Sequence, residues 1–215
     1  MPLISAADVA RPREQTARRR NIIAAARRAI VARGVRGLRV KDVAAQAGIS
    51  AGLVSYYFPE LDRLLVDVHQ DSVDRFYWGR LRTIEGLADG AARLRALVAG
   101  GLPVGADDEI CHCLYELHLH AARDETHAGL MTDLFDREVA LYASVLRRGE
   151  QEGEFVLSAP AEDVAATAVV LEDAYGLHIV ARNRSIDRRR AATLLLSCLG
   201  TMTGTVLLDP GCSIG

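Results

Sequence analysis

Two stretches of the chain hold residues whose types and spacing could do chemistry. The first is CHCLYELHLH, residues 111–120, where thiols, imidazoles and a carboxylate crowd together. These are metal ligands by type. On a helix, however, Cys111 and Cys113 project about 200° apart, too far for one ion. Along an unbroken helical stripe Cys113, His120 and His127 fall in steps of about 10 Å. His112, Glu116 and His120 at i, i+4, i+8 offer at most a neighbouring pair. No metal site is expected, and no cofactor. Ile110, Leu114, Leu117 and Ala121 read as the packed face of this helix, flanked by Cys111, Tyr115 and His118.

The second stretch is VKDVAAQAGISAGLVSYYF, residues 40–58, in which hydroxyls and an aromatic triplet follow a tight turn. Burial accounts for one or two of the three aromatics. The remainder reads as a surface that has to touch something. The chain has no G-x-S-x-G, no H-E-x-x-H and no phosphate-cradling Gly loop, so an enzyme is not expected.

Charge separates the region around the second stretch from the rest. Residues 1–58 carry eleven Lys and Arg against three Asp and Glu, whereas residues 59–215 carry fifteen against twenty-five. A basic head on an acidic body implies that the head alone meets a polyanion. Four cysteines in 215 residues make no disulfide framework. Residues 1–20 are polar and do not read as a secretory signal. The longest apolar stretch, residues 191–208, carries Ser, Gly and Thr and follows RRR, so it reads as a buried helix rather than a membrane span. A cytoplasmic protein is expected.

The elements that must position these residues are helices. Half the chain is hydrophobic, with few aromatics and six prolines, and alternating β-branched runs are scarce. The reading is all-α, with about nine helices near 13–33, 40–47, 51–57, 61–84, 87–99, 107–123, 127–149, 160–181 and 187–208. Ile22, Ile23, Ala26, Ala29 and Ile30 share one face of the first helix. Gly34 stops it. Gly48 permits a tight bend, and Ser50 is placed to cap the helix that follows. The expected organisation is an arm without fixed structure over 1–12, a helix-turn-helix unit over 13–58 and a larger helical unit over 59–215.

From about Asn21 to Leu65, through AARRAIVARG, VKDVAAQAGIS, AGLVSYYF and LL, the sequence resembles the TetR family of bacterial transcriptional regulators. The form S-x-G-L-V-S-Y-Y-F looks closest to its betaine-regulator-like branch. The resemblance implies a dimer that binds double-stranded DNA at a palindromic operator, most often as a repressor released by a small-molecule ligand. It places Lys41 on the first motif helix, against DNA. It places Ser50, Ala51, Gly52, Leu53, Ser55, Tyr56 and Tyr57 on the exposed side of the recognition helix, and Val43, Ala44, Ile49, Val54 and Phe58 on the packed side. Hydroxyls can bond phosphate oxygens, which sets register without reading sequence. Leu53 is suited to a thymine methyl. One of the two tyrosines packing against the first helix is the alternative.

Three features depart from the family pattern. Leu61 stands where the family usually has a phosphate-binding Lys, a role for which Arg63 is the candidate substitute. Arg39 replaces a capping Thr; it cannot cap in that way but can reach phosphate. The recognition helix has no Arg, Lys, Asn or Gln, the usual bidentate base readers. Specificity is then expected from Lys41, backbone fit and DNA shape.

For the acidic body the resemblance implies a ligand pocket and a dimer interface built by the last two helices. Leu194, Ser197, Gly200, Thr201, Gly204 and Leu208 recur at helical spacing and include small residues that permit close packing. Glu172 and Asp173 interrupt an apolar run and need partners, either a cationic ligand or an Arg. Trp78, Tyr115, His118, Phe135, Glu172 and Tyr175 are the candidate pocket residues. Two other readings remain: a regulator with no small-molecule ligand, switched by a partner or by abundance, and, more remotely, an enzyme.

Overall fold

The structure, a computed structural model, describes residues 6–208 and the side chains of residues 14–208. Among the described residues it is all-α: α1 (Ala6–Arg33), a 3-10 turn (Val35–Gly37), α2 (Val40–Ala47), α3 (Ala51–Tyr57), α4 (Leu61–Ile84), α5 (Gly90–Gly101), α6 (Glu109–Ala121), α7 (Glu125–Gln151), α8 (Ala161–Val180) and α9 (Arg188–Thr203). Of the arm expected over residues 1–12, residues 1–5 lie outside the described residues, and α1 begins at Ala6. None of the helices is long and apolar enough to cross a membrane.

Aspartates set most of the later helix starts. The side chains of Asp89, Asp108, Asp124 and Asp187 accept from the backbone N–H of Ala92, Cys111, His127 and Arg190 at 2.6, 3.1, 3.1 and 2.7 Å. Each satisfies a donor that the first turn leaves without a partner, worth about 1 kcal/mol.

The last helix is shorter than its apolar pattern implies. Gly204 takes a left-handed conformation (φ 64°) and ends α9. The residues before α8 then occupy the freed carbonyls, with Val156 N–H on Thr203 O and Ser158 N–H on Met202 O, both at 2.9 Å. Leu208 therefore lies beyond the helix, not on its face as expected.

Two large apolar cores result, with a small third cluster of Val73, Leu114 and Leu134 from α4, α6 and α7. The body core joins Leu94, Leu97, Tyr142, Leu146, Val164, Leu195 and their neighbours from α5, α7, α8 and α9. The head core joins Ile22, Ala26, Ile30, Val43, Val54, Phe58 and Leu64, and it also takes Cys113 and Leu117 from α6. α6 thus serves the head as well as the body. Polar contacts reinforce that seam. The buried Arg27 of α1 meets Asp71 of α4 at 2.5 Å and Glu109 of α6 at 2.6 Å. The Val35 N–H donates to Glu116 at 3.1 Å.

Candidate nucleic-acid interface and ligand cleft

The turn in the head follows from two residues. Gly48 adopts φ 65°, a conformation costly for any side chain. The Ser50 hydroxyl then accepts from Leu53 N–H at 3.2 Å and starts α3. The start of α2 departs from the usual cap. Arg39 supplies no acceptor, so only the reciprocal half of a capping box forms: Asp42 accepts the Arg39 N–H at 3.1 Å. Asp42 also meets Arg33 at 3.1 Å, and the Arg39 side chain stays exposed.

The faces of α2 and α3 divide cleanly. Val43, Ala44, Val54 and Phe58 are buried. Arg39, Lys41, Ser50, Ala51, Gly52, Ser55 and Tyr56 are exposed, and Leu53 and Tyr57 are half-buried. Tyr56 is 72% exposed and meets the Tyr57 ring edge-on at 5.3 Å. Tyr57 packs partly on the head core, and it borders an open groove of about 630 Å³ shared with Glu14, Arg18 and Asn21 of α1. Leu61 also packs on the head core, so its position carries apolar burial in this chain. Arg63 is exposed and pairs with Asp67 at 3.5 Å. The arrangement offers one cationic side chain on each side of the start of α2, and hydroxyl and small side chains along α3, all facing solvent.

In the body a cleft lies between α4, α6 and α7, closed at one side by α8. Tyr115, His118 and Phe135 line it together with Phe76, Glu138 and Asp173. The other three candidate pocket residues lie elsewhere. Trp78 is exposed and packs edge-on to Tyr77 at 5.2 Å, and Tyr175 packs against the body core. Glu172 is buried behind the cleft, where a tetrad takes it up: Arg80 donates to Glu172 at 3.0 Å and to Leu97 O at 3.1 Å, Tyr142 O–H donates to Glu172 at 2.5 Å, and Arg80 also pairs with Glu138. All four side chains are nearly solvent-free.

Two carboxylates against one guanidinium leave a surplus negative charge in a dry site. Burial therefore pushes Glu138 up to about 8 and Glu172 up to about 7, although Arg80 pulls both down. Burial opposes the charge on Arg80, but Glu172 and Glu138 more than compensate and hold its pKa above the ordinary value. Of the tetrad, only Glu172 stood out in the sequence. Arg80 and Glu138 carried a readable signal nonetheless: Glu138 has Leu134, Phe135, Leu141 and Tyr142 three and four residues away, and Arg80 has Phe76, Tyr77 and Ile84, with only Thr83 polar.

On α8 and α9, Val170, Leu177 and Leu194 are large, apolar and exposed. Ser197, Thr201 and Gly204 are exposed beside them, and Gly200 is half-exposed. The small size of Gly200 has a reason within the chain: a Cβ there would stand 2.8 Å from the Thr205 carbonyl.

Residues 22–68 match the family model described as bacterial regulatory proteins, tetR family. The HTH-type transcriptional regulator BetI of Klebsiella pneumoniae is 34% identical over 88 residues, which is 40% of this chain and 45% of that protein. The chain thus spans about half the length of the curated relatives it matches. A TetR-family transcriptional regulator from Rhodococcus sp. is similar over 86% of this chain and 98% of its own, with 26% identity and a TM-score of 0.75. A transcriptional regulator from Saccharomonospora viridis, solved in complex with choline, shares the fold at a TM-score of 0.76 and 24% identity, covering 82% of this chain and 92% of its own. The head thus matches the tetR family model over residues 22–68, and the helical layout is similar to that of a TetR-family regulator along most of the chain.

Proposed function

We propose that the chain is a sequence-specific DNA-binding transcriptional regulator, most simply a repressor, that acts in the cytoplasm as a homodimer on a palindromic operator. The carrying observation is the solvent-facing set Arg39, Lys41, Ser50, Ser55 and Tyr56 on a helix pair whose opposite face is buried. Cations and hydroxyls on one face suit phosphate contacts, and the glycine and alanine at the start of α3 let its backbone approach base edges. The exposed apolar residues of α8 and α9 suit a symmetric partner surface, which would present two α3 helices to one duplex. Nothing in this arrangement resembles a nucleophile with its base, so an enzyme reading gains no support.

The cleft favours a small organic cation as the ligand. Phe76, Tyr115 and Phe135 offer aromatic faces, and Asp173 and Glu138 offer carboxylates. A choline complex of a protein with the same fold supports that class. A second reading, a regulator with no small-molecule ligand, is favoured by the size of the cleft. Its free volume is about 50 Å³, room for a few waters and well below the roughly 300 Å³ of an ordinary ligand site.

Selection of bound sequences from random duplex DNA at two salt concentrations tests the main reading. A palindromic site with steep salt dependence is the expected result; weak binding of every sequence alike would overturn it. A thermal-shift titration with choline separates the two ligand readings, since a ligand bound to the folded state raises the midpoint.

A further inference from the structure

Three histidines meet where the middle of α4, the end of α6 and the start of α7 come together, and neither the head surface nor the cleft uses them as a set. The His120 and His127 rings lie edge to face with centroids 4.8 Å apart, and His69 stacks on His127 at 5.0 Å. One donor atom each from His120, Asp124 and His127 lies within 4.8 Å of the other two. An unbroken helix would hold His120 and His127 about 10 Å apart. The chain avoids this by ending α6 at Ala121, turning through Ala122–Asp124 and starting α7 at Glu125, which folds His127 back over His120.

We propose that His120, Asp124 and His127 bind a divalent transition-metal ion of the zinc class, with His69 as the positioning residue for His127.

The hydrogen bonds around the cluster prepare it for this. His69 Nε2 lies 3.1 Å from the Met131 sulfur, which can only accept, so that nitrogen carries the proton. With the proton on Nε2, a neutral His69 ring keeps the lone pair on its Nδ1. His69 Nδ1 and His127 Nδ1 are 2.8 Å apart, which makes His127 the donor. His127 Nε2 is then left with its lone pair, the form a metal requires. An N–H on the far side of a ligating imidazole, held by a fixed acceptor, is the usual outer support of such sites. Asp124 is fixed as well. Its Oδ1 accepts from Thr126 and His127 N–H at 2.9 and 3.1 Å, leaving Oδ2 to ligate. His120 and Asp124 are half-exposed, so an ion can enter; on binding, the donors, which lie within 4.8 Å of one another, would close to the roughly 3.4 Å separation that metal–nitrogen bonds of about 2.1 Å require. Two imidazoles and one carboxylate suit zinc, nickel or cobalt, whereas magnesium and calcium prefer oxygen ligands. Three protein ligands leave a fourth position to water. A bound ion would tie α6 to α7 directly and to α4 through His69.

The test is a cobalt(II) titration of the full chain, without an affinity tag, near neutral pH and read by visible absorption. The proposal expects ligand-field bands that saturate at one equivalent and vanish when zinc(II) is added. H120A should abolish them, and D124N, which can still cap α7, should weaken cobalt binding at least tenfold. H69Q should weaken it ten- to a hundredfold with the band shape unchanged. H112A, outside the cluster, should titrate as the parent does. Far-UV circular dichroism checks that each variant is folded; the half-exposed His120 can be lost without opening a core. Absence of bands, or an H120A chain that titrates like the parent, overturns the site. An H69Q chain with unchanged affinity overturns the positioning role.

Discussion

Arg19 of α1 holds the last turn of α3 by its main chain: its Nη1 donates to the Tyr57 carbonyl at 3.0 Å. The same guanidinium lies 4.3 Å over the Phe58 ring and meets Asp67 of α4 at 2.8 Å. A seven-residue helix has little stability of its own, so its orientation depends on such braces. Replacing Arg19 with Ala should cost about 1–2 kcal/mol, from one carbonyl bond and one cation–π contact, with little from the solvent-screened ion pair. Urea unfolding measures it. A midpoint equal to that of the parent would show that α3 does not need the brace.

Lys41 is exposed at the start of α2 and has no described ion-pair partner. If it neutralises one phosphate, K41A should weaken binding to all duplex sequences alike and reduce the slope of log affinity against log salt by about 1. A selective loss at one operator position would mean instead that Lys41 reads a base.

The Arg80 tetrad should be unforgiving to partial removal. R80M leaves two buried carboxylates without their cation, and a cost of about 3–5 kcal/mol is expected. Chemical denaturation of R80M and of the triple replacement R80M/E138L/E172L distinguishes a broken pair from a missing one. The triple variant should recover most of the loss. An R80M midpoint close to that of the parent would mean that water reaches the carboxylates.

The same tetrad gives stability a pH dependence whose sign can be fixed. Glu138 at about 8 and Glu172 at about 7 lie above the ordinary carboxyl value of 4.5. The folded chain therefore binds their protons more tightly than the unfolded one. Their contribution is fully present below about 4.5 and is lost as pH rises through about 7 to 8. E138Q mimics the protonated form at every pH, so its stability relative to the parent should rise between pH 5 and 8. Denaturation midpoints for both chains across that window check this; parallel curves would contradict it.

Much of the head could be read from the chain because its signals are local. Gly48 and Ser50 announce a turn and a cap within three residues, and the family resemblance places Val43, Val54 and Phe58 inside. The body was less legible for reasons that are not local. The end of α9 is set by Val156 and Ser158, some 45 residues earlier, competing for its carbonyls. Arg80 and Glu172 find each other across 92 residues, and helical spacing alone cannot say which buried charge meets which. The distance from His120 to His127 was misjudged because the two were placed on one unbroken stripe, although the expected helices already stop at 123 and resume at 127; the structure turns through three residues, Ala122–Asp124. Asp124, a capping residue just before Glu125, was the signal that the helix had ended.

The position of α6 carries a consequence for how such a protein could be tuned. One side of this thirteen-residue helix presents Tyr115 and His118 to the cleft; the other presents Cys113 and Leu117 to the head core and Glu109 and Glu116 to Arg27 and Val35. Its length is about 20 Å. A rigid rod of that size cannot yield at one side and stay still at the other, so a displacement at the cleft would reach the head. If the proposed ligand and duplex act through these two surfaces, variants that alter the response should concentrate between Glu109 and Ala121, at residues that meet neither of them.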